Sequence, residues 1–393
     1  MSAAKIAGLA RPAATAAFAA RFQAEGLHNA AYRVIQSKLT LSTVGIGTYQ
    51  GELGQEHDDL VVEAIVEAVR GGVNVIDTAV NYRLQQGERC VGRALQKLLL
   101  GGGSGGLTRE ELFISTKAGF VPGDYGSSAD KEAGMRQTAQ ELVAAGVPAD
   151  EICEEFKHTL HPKALDVLLA KSLNNLGLES VDLFYLHNAE NQLGMGVDKP
   201  TLMRHIRDAF EWCEQRIVDG RIRAYGLATW DCFRAPPDAN DSLQLSELAA
   251  LAADAAAKVR GDGAEAGFQY VQIPINLGMP EALLSSTQRL EGPELAPALA
   301  WAQRHGLSVF SSSSLGGGKT PAHSEACEGH ALMEGRPTGA VRWLEFARSC
   351  PGVACALVGM KRPTNVASNL ALLKVAPLEP EAFGQLCDSV FAS

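Results

Sequence analysis

Four side chains capable of acid–base chemistry accompany short apolar runs of the sequence. Asp77 lies near the end of VNVIDT, Lys117 ends LFISTK and His187 ends VDLFYLH, while Tyr82 follows Asp77 by five residues. A buried lysine needs a partner such as Asp77, and its ammonium lowers the pKa of a neighbouring phenol, which is about 10 in water. A phenol of this kind can protonate an oxygen that is becoming an alkoxide. A lone aspartate or histidine is more often structural, so this prediction of general acid chemistry requires that the four residues meet.

The elements that must position these residues alternate in type along the chain. Short β-branched runs are each followed by a longer segment with helical periodicity. This alternation predicts an α/β fold with a parallel sheet covered by helices, and eight units in 393 residues predict a single-domain (β/α)8 TIM barrel. The carboxyl ends of the strands converge at one mouth of such a barrel, so the four polar side chains are expected there. The predicted strands are residues 42–47, 73–78, 112–117, 181–187, 223–229, 268–274, 307–312 and 353–359.

Residues 118–162 interrupt the alternation with a long loop after the third strand. A loop of this length inside a compact domain is usually functional, and it leaves the end of the barrel where active sites are built. We therefore expect it to cover the substrate.

The first residues of the chain allow two interpretations. Residues 1–24 are rich in alanine, contain basic residues and lack acidic ones, which suits an organelle transit peptide. The same segment, PAATAAFAARFQAEG, also predicts a helix with Phe18 and Phe22 on one face. We assign residues 1–36 to an N-terminal extension, helical or leader-like, and residues 37–393 to the barrel.

Composition limits the partners and the compartment. The net charge is −10 and the pI is about 5.5, which argues against nucleic acid or an anionic membrane as the main partner. The eight cysteines are widely spaced without a CxxC motif, which favours a reducing compartment. No apolar run approaches the ~20 residues of a membrane-spanning helix. These features predict a cytoplasmic protein, with an organelle as the alternative if residues 1–24 are a transit peptide; they do not determine the oligomeric state.

Two glycine-rich stretches imitate nucleotide-binding motifs. SSLGGGKT (313–320) ends like a triphosphate-binding loop, but Ser313 stands at the first glycine position and Pro321 follows where a helix should run. GGGSGG (101–106) follows a predicted helix and precedes a strand, the reverse of the order in the dinucleotide fingerprint. Neither stretch predicts a nucleotide hydrolase, although small residues at 313–318 allow main-chain N–H groups to approach an anion.

Two groups of histidine and cysteine residues have the ligand types of a metal site. Neither has an established zinc spacing, so we predict no metal. The groups are Cys153, His158 and His161, and His323, Cys327 and His330.

An ordered series of motifs from about Leu41 to Leu373 resembles the aldo-keto reductases. These are LSTVGIGTYQG, GVNVIDTAVNY, ERCVGRAL, FISTKAG, SLNNLGLESVDLFYLHN, GRIRAYGLATW, VQIPIN and ALVGMKRPTNVASNL. The family has a (β/α)8 barrel, an Asp–Tyr–Lys–His tetrad and NADPH as its cofactor. The resemblance implies that Tyr82 is the general acid and that Lys117, paired with Asp77, lowers its pKa. It implies that His187 orients the carbonyl group that receives hydride from the nicotinamide.

The resemblance also implies an NADP(H) site extended across the barrel mouth. Its residues match the positions that hold the ribose (Thr48 and Tyr49), the carboxamide (Thr229 and Gln272), the pyrophosphate (Ser313, Leu315 and Gly317), the 2′-phosphate (Lys361 and Arg362) and the adenosine (Asn365 and Asn369). Lys319 either assists at the pyrophosphate or is solvated. Both cations near the 2′-phosphate favour NADPH over NADH.

Four positions depart from the family pattern, which implies altered cofactor affinity or activity. They are Ser312, where an aromatic ring commonly stacks on the nicotinamide, and Ala228, Ile275 and Ser368. We therefore expect an NADPH-dependent reductase of an aldehyde or ketone, or the reverse oxidation of an alcohol or sugar. The alternative is a non-catalytic NADPH-binding regulatory barrel, and the sequence does not identify the substrate.

Overall fold

Eight parallel strands close into a barrel in the computed structural model, which describes residues 5–101, 106–126, 130–152, 158–337 and 339–391. Each barrel strand lies within two residues of its predicted position at both ends, so the predicted (β/α)8 fold is confirmed. Going round the barrel, the order is β11-β12-β3-β4-β5-β6-β7-β8, and β8 pairs again with β11. The strands are β1 (Tyr32–Val34), β2 (Thr40–Ser42), β3 (Val44–Gly47), β4 (Val75–Asp77), β5 (Phe113–Ala118), β6 (Val181–His187), β7 (Ile222–Ala228), β8 (Phe268–Pro274), β9 (Ser286–Arg289), β10 (Leu295–Pro297), β11 (Ser308–Ser312) and β12 (Val353–Gly359).

Helices cover the outside of the barrel with one apolar face each. In the helix at 55–70, Val62, Ile65 and Val69 are buried at helical spacing, and the helix ends at Gly71 as its sequence predicts. The helices are α1 (Pro12–Ala24), α2 (Gln55–Arg70), α3 (Gln86–Leu99), α4 (Lys131–Ala144), α5 (Pro162–Leu176), α6 (Asn191–Gly194), α7 (Lys199–Val218), α8 (Leu245–Arg260), α9 (Glu281–Leu284), α10 (Ala298–Arg304), α11 (Ser324–Glu328), α12 (Ala340–Ser349), α13 (Pro363–Ala371) and α14 (Pro380–Phe391). Within the described ranges, no helix has both the length and the apolarity needed to cross a bilayer.

Aromatic rings fill the lower half of the barrel interior. Phe113, Tyr270 and Phe310 pack together with ring centroids 5.7–5.8 Å apart. The antiparallel hairpin of β1 and β2 adds Leu39 and Leu41 to the same cluster. The hairpin therefore closes the amino-terminal end of the barrel and leaves the opposite mouth for a site.

The N-terminal helix is packed onto this closed end. Phe18 is fully buried in α1, with its ring centroid 4.7 Å from that of Phe22 and 6.3 Å from that of Tyr32. Arg21 forms a 3.0 Å ion pair with Glu111 on the turn before β5. The helix that we predicted here is present, and the transit-peptide alternative remains a prediction.

The long segment after β5 differs from the predicted loop because it contains helix α4. Val121, Leu142, Val147 and Ile152 form a small apolar cluster with Ala164 of α5. The segment therefore has its own packed contact with the barrel wall. We call residues 118–162 the insert; its residues 127–129 and 153–157 lie outside the described residues, as do residues 102–105 of GGGSGG.

A second hairpin, of β9 and β10, was not predicted. The sequence indicated a helix through GPELAPALAWAQRHG, but residues 295–297 pair with β9 and helix α10 begins only at Ala298. Pro297 stands at the N-cap and restricts Ala296 before it to extended angles, which agrees with a helix that does not start earlier.

The packing of α1 can be tested by removing its central ring. We expect Phe18→Ala to lower the free energy of unfolding by about 3–5 kcal/mol, because a fully buried phenylalanine leaves a cavity. Urea unfolding measures the change. Ala17→Ser on the exposed face of the same helix is the matched control, with an expected change within about 0.5 kcal/mol. Equal stability of Phe18→Ala and wild type would contradict this packing.

Candidate active site

A cavity of about 380 Å³ lies at the mouth formed by the carboxyl ends of the strands. Each barrel strand contributes its last residues, or the residues just after them, to the wall. The cavity is open on one side, and its size is within the range of small-molecule sites. Its position agrees with the end of the barrel at which we expected the four polar side chains.

Lys117 and Asp77 form an ion pair at the base of this cavity. The Lys117 Nζ lies 2.5 Å from an oxygen of Asp77 and also donates to the main-chain oxygen of Thr78 at 2.8 Å. The other Asp77 oxygen accepts from Ser115 Oγ at 2.7 Å and from Gln272 Nε2 at 3.0 Å. Both Asp77 oxygens and the ammonium are therefore well supplied with partners, as a buried ion pair requires.

The register of β4 and β5 produces this pair. Asp77 lies opposite Ser115 in the parallel ladder, and Lys117, two residues later, points to the same face of its strand. Lys117 is fully buried. Burial acts to lower its pKa, but the charge of Asp77, the polar Tyr82 hydroxyl and hydrogen bonds to both raise the pKa overall, so the side chain stays cationic.

Tyr82 lies against this cation. The Lys117 Nζ is 4.7 Å from the centroid of the Tyr82 ring. Burial raises the pKa of Tyr82, and the charge of Lys117 and a side-chain hydrogen bond with it act in the opposite direction. The sequence predicted a net lowering of this pKa; in the structure burial is the larger effect and the net shift is upward. The phenol therefore holds its proton at neutral pH and is an acid rather than a base.

An unusual turn fixes the main chain directly after Tyr82. Arg83, Leu84 and Gln85 all have left-handed backbone angles, with φ of 52°, 50° and 71°. Such angles are costly for residues other than glycine and persist only where contacts impose them. Here Arg83 pairs with buried Asp58 at 2.5 Å, and Gln85 Nε2 donates to the Gly123 main-chain oxygen at 3.1 Å.

His187 is a neutral group on the cavity wall. Its ring centroid lies 5.7 Å from that of Tyr82. Burial, together with the charges of Lys117 and His158, lowers the pKa of His187 well below its usual range. Its Nδ1 has no partner among the described residues. A neutral imidazole can donate one hydrogen bond to a carbonyl oxygen without adding a charge.

The glycine-rich loop after β11 forms another part of the cavity wall. Gly316, Gly317 and Gly318 have φ of 60°, 71° and 88°, and the buried Oγ of Ser313 has no partner within the described part of the chain. No helix begins at Lys319, since the next one is α11 at Ser324, so the loop is not a triphosphate-binding loop. Lys319 is exposed and does not line the cavity.

The cofactor residues named from the family pattern fall into two groups. One group lines the cavity: Thr48, Tyr49, Thr229, Gln272, Ser313, Leu315 and Gly317. The other does not line it and lies after β12, whose last residue Gly359 does: Lys361, Arg362, Asn365 and Asn369.

Two of the four positions that depart from the family pattern line the cavity, and two do not. Ser312 and Ala228 line the cavity and place no ring there. Ile275 is buried outside the cavity wall, and the Ser368 hydroxyl donates to the Thr364 main-chain oxygen within α13.

Sequence reasoning missed several residues of the wall. Phe120, Asn81, Asn188 and Trp230 line the cavity, and Gln50 ties its two sides together by donating to the Gly317 oxygen at 2.7 Å. Most follow a strand end by one to three residues, a signal that was available. Their contribution depends on loop conformation, which the pattern of strands does not predict.

The two groups of histidine and cysteine residues considered from the sequence are not arranged as metal ligands where the structure describes them. In the described ranges, no three His, Cys, Asp or Glu side chains are arranged as metal ligands, and Cys153 lies outside those ranges. His158 is instead fully buried behind His187, with its Nε2 2.8 Å from the His187 main-chain oxygen.

Comparison with known proteins gives one consistent family. Residues 43–235 match the model of the aldo/keto reductase family. The NADH-specific methylglyoxal reductase of Escherichia coli K12 is 28% identical over 201 residues, which are 49% of this chain and 50% of that protein. The match therefore spans about half the length of this curated relative.

Solved structures share the whole fold. An aldo/keto reductase from Klebsiella pneumoniae in complex with NADP and acetate has a TM-score of 0.57 at 18% identity, covering 92% of this chain and 95% of that one. A glycerol dehydrogenase from Gluconobacter oxydans has a TM-score of 0.60 at 18% identity, covering 93% and 98%. At this level of identity the likeness establishes the barrel and not the activity.

The buried histidine predicts a loss of stability in acid. Burial lowers the pKa of His158 to about 4, whereas an unfolded histidine titrates near ~6.5. Between these values the unfolded state binds a proton that the folded state excludes. The free energy of unfolding should therefore fall as pH falls through this window, by about 3 kcal/mol from this group.

Urea unfolding of wild type and of His158→Gln, at about pH 7 and at about pH 4.5, measures this contribution. The variant lacks the titrating group, so we expect its stability to fall less than that of wild type. The remaining loss in both proteins includes His187, whose pKa is also lowered. An equal loss in the two proteins would contradict the assignment.

Proposed function

Since residues 43–235 of this chain match the model of the aldo/keto reductase family, we propose that it is an NADP(H)-dependent oxidoreductase that reduces an aldehyde or ketone, or oxidises the corresponding alcohol or sugar. The observation that carries the proposal is the buried Lys117–Asp77 ion pair against Tyr82 at the base of the cavity. This arrangement places a protonated phenol beside a fixed positive charge, where an oxygen gaining negative charge would be stabilised.

The side chains divide the chemistry among them. Tyr82 donates its proton to the carbonyl oxygen as that oxygen becomes an alkoxide, and Lys117 stabilises the phenolate that remains. Asp77 keeps Lys117 charged and in place. His187, neutral and on the same wall, donates a hydrogen bond that orients the carbonyl. A nicotinamide cofactor, when bound, would supply the hydride.

The structure has features that fit a dinucleotide. The unpartnered Ser313 hydroxyl is a donor where a diphosphate would lie, and the glycines at 316–318 leave room beside the main chain; the Gly316 and Gly318 N–H groups already donate to the Ser313 and Leu315 oxygens. Lys361 and Arg362 stand at the start of α13, where a 2′-phosphate would meet two cations. The Klebsiella pneumoniae structure binds NADP, whereas the Escherichia coli relative is NADH-specific. We assign NADP(H) to this chain because of the two cations.

The cavity favours a small uncharged substrate. Of the described residues that line it, Asp77 carries a charge and is already paired with Lys117, and the aromatic rings of Tyr49, Phe120 and Trp230 supply much of the remaining surface. A charged substrate group would therefore lack a partner. Methylglyoxal and glycerol, named for the relative and for the solved dehydrogenase, are suitable first probes of the two directions.

Replacing the general acid separates chemistry from binding. We expect Tyr82→Phe to lower kcat by about 10²–10⁴-fold, because the ring remains and only the proton donor is lost. Binding of NADPH, followed by quenching of its fluorescence, should be unchanged. Tyr125→Phe removes a hydroxyl from a ring that does not line the cavity and should leave kcat within a few-fold of wild type.

The outcome of that experiment also addresses the alternative function. Full turnover by Tyr82→Phe would remove the mechanism proposed for Tyr82. A wild-type protein that binds NADPH but turns over no member of a broad panel of carbonyl compounds would instead favour a non-catalytic NADPH-binding regulatory barrel.

The choice of cofactor is tested at Lys361. We expect Lys361→Ala to weaken NADPH binding by about tenfold or more and NADH binding by less than about twofold, because only NADPH has the 2′-phosphate. Fluorescence titration of both cofactors measures this. The control is Lys319→Ala, a lysine of the other phosphate loop, which should affect the two cofactors equally. Equal losses of NADPH and NADH in Lys361→Ala would contradict the 2′-phosphate assignment.

A further inference from the structure

The end of the insert returns to the barrel directly behind the proposed active site. The Thr159 N–H donates to the Gly119 main-chain oxygen at 2.8 Å, and Phe120 and His158 form an isolated antiparallel bridge. This pairing continues β5 beyond its last barrel residue. It brings the fully buried His158 ring against the carboxyl end of β6.

His158 heads a directed chain of hydrogen bonds. Its Nε2 is 2.8 Å from the His187 main-chain oxygen, and its Nδ1 is 3.1 Å from Gln192 Nε2. Gln192 Oε1 lies 2.8 Å from His205 Nδ1, on the outer side. A main-chain oxygen only accepts, so Nε2 of His158 carries the hydrogen and Nδ1 of the neutral ring accepts from Gln192. The amide oxygen of Gln192 then accepts from His205, and each donor has an acceptor.

Close packing surrounds the first of these hydrogen bonds. A Cβ at Gly119 would lie 2.7 Å from both His158 Nε2 and the His187 main-chain oxygen, so glycine is required for their approach. The Phe120 ring is nearly perpendicular to both imidazoles, with centroid distances of 5.0 Å to His158 and 5.1 Å to His187. Phe120 and His187 both line the cavity, whereas His158 does not.

We propose that His158 is a positioning residue, which holds the main chain of His187 and the ring of Phe120 and so sets the orientation of the His187 imidazole towards the substrate carbonyl. The inference rests on the proposed function, since it assigns a role within the same site. The insert is then part of the catalytic framework, and not only the substrate cover that its length predicted.

The physical basis is the hydrogen-bonding requirement of a buried carbonyl at a strand end. The His187 carbonyl is at the last residue of β6, where the barrel ladder stops, and His158 supplies its donor. Loss of that donor leaves a buried acceptor unsatisfied, which the chain can relieve only by moving His187. A displacement of about 1 Å of an orienting group can reduce a rate by roughly 10²-fold.

The test compares two substitutions at one position. His158→Leu fills the space without a donor, while the amide nitrogen of His158→Gln can reach the place of Nε2 and donate to the His187 oxygen. We expect kcat for methylglyoxal, or for the best substrate of a carbonyl panel, to fall by about 10- to 100-fold in His158→Leu and to stay within about threefold of wild type in His158→Gln. NADPH affinity should be unchanged in both.

Two further variants serve as a second test of the same hydrogen bond and as a control. Gly119→Ala leaves His158 in place but wedges a methyl group into its hydrogen bond, so it should reproduce the fall in kcat, and it replaces His158→Leu if that variant does not fold. His305→Gln is the control. Like His158, His305 donates to a main-chain oxygen, in this case from Nδ1 to the Trp301 oxygen at 2.8 Å, but it lies before the amino-terminal end of β11, away from the cavity. This variant should have wild-type kcat.

A readout independent of turnover separates this inference from the proposed function. In ¹⁵N-histidine NMR spectra, the His187 ring signals should shift in His158→Leu and Gly119→Ala and remain near their wild-type positions in His158→Gln. Wild type without any carbonyl reduction would refute the proposed function, while these shifts would still support the positioning of His187. Wild-type kcat in His158→Leu, equal losses in the leucine and glutamine variants, or loss of NADPH affinity in parallel with kcat would overturn the inference.

Discussion

The buried ion pair of Lys117 and Asp77 is the constraint on which the rest of the site depends. An unpaired charge inside a barrel mouth costs several kcal/mol, so each residue of the pair requires the other. The pair exists only if β4 and β5 are neighbours in the observed register, because only then do Asp77, Ser115 and Lys117 face the same interior. Gln272 of β8 reaches the same carboxylate from across the barrel. Closure of the sheet thus supplies the partners that make the pair tolerable.

The charge of Lys117 and burial together set the pKa of Tyr82 and of His187. Burial raises the pKa of Tyr82 and lowers that of His187, while the positive charge of Lys117 acts to lower the pKa of both. The two side chains are therefore both neutral at ordinary pH, and their rings lie 5.7 Å apart on one wall. Two uncharged donors beside a permanent cation can share the developing charge of one oxygen. Such an arrangement would need no reorganisation during the proposed reaction.

The insert and the N-terminal hairpin occupy opposite ends of the same barrel. The β1–β2 hairpin closes the amino-terminal end with apolar side chains, while the insert adds a buried polar network at the carboxyl-terminal end. A buried polar network favours one arrangement of its side chains, since each member requires its partner at a set distance and angle. In the insert this network ends on the main chain of His187, next to the cavity.

The sequence by itself determined the order of the strands, the barrel and the identity of the four polar residues, because periodicity and strand-end position report local burial. It did not predict helix α4, whose apolar contact is with α5, or the β9–β10 hairpin, whose strands of four and three residues are too short to show a strand pattern. The net direction of the Tyr82 pKa shift was predicted wrongly. Desolvation depends on everything that covers a side chain, and only the tertiary structure supplies that. For the same reason the sequence did not predict a positioning role for His158, which it placed only in the long loop after β5, as a residue of a metal-ligand type or of the substrate side. Its partners at 187 and 192 meet it only after the chain has closed the barrel.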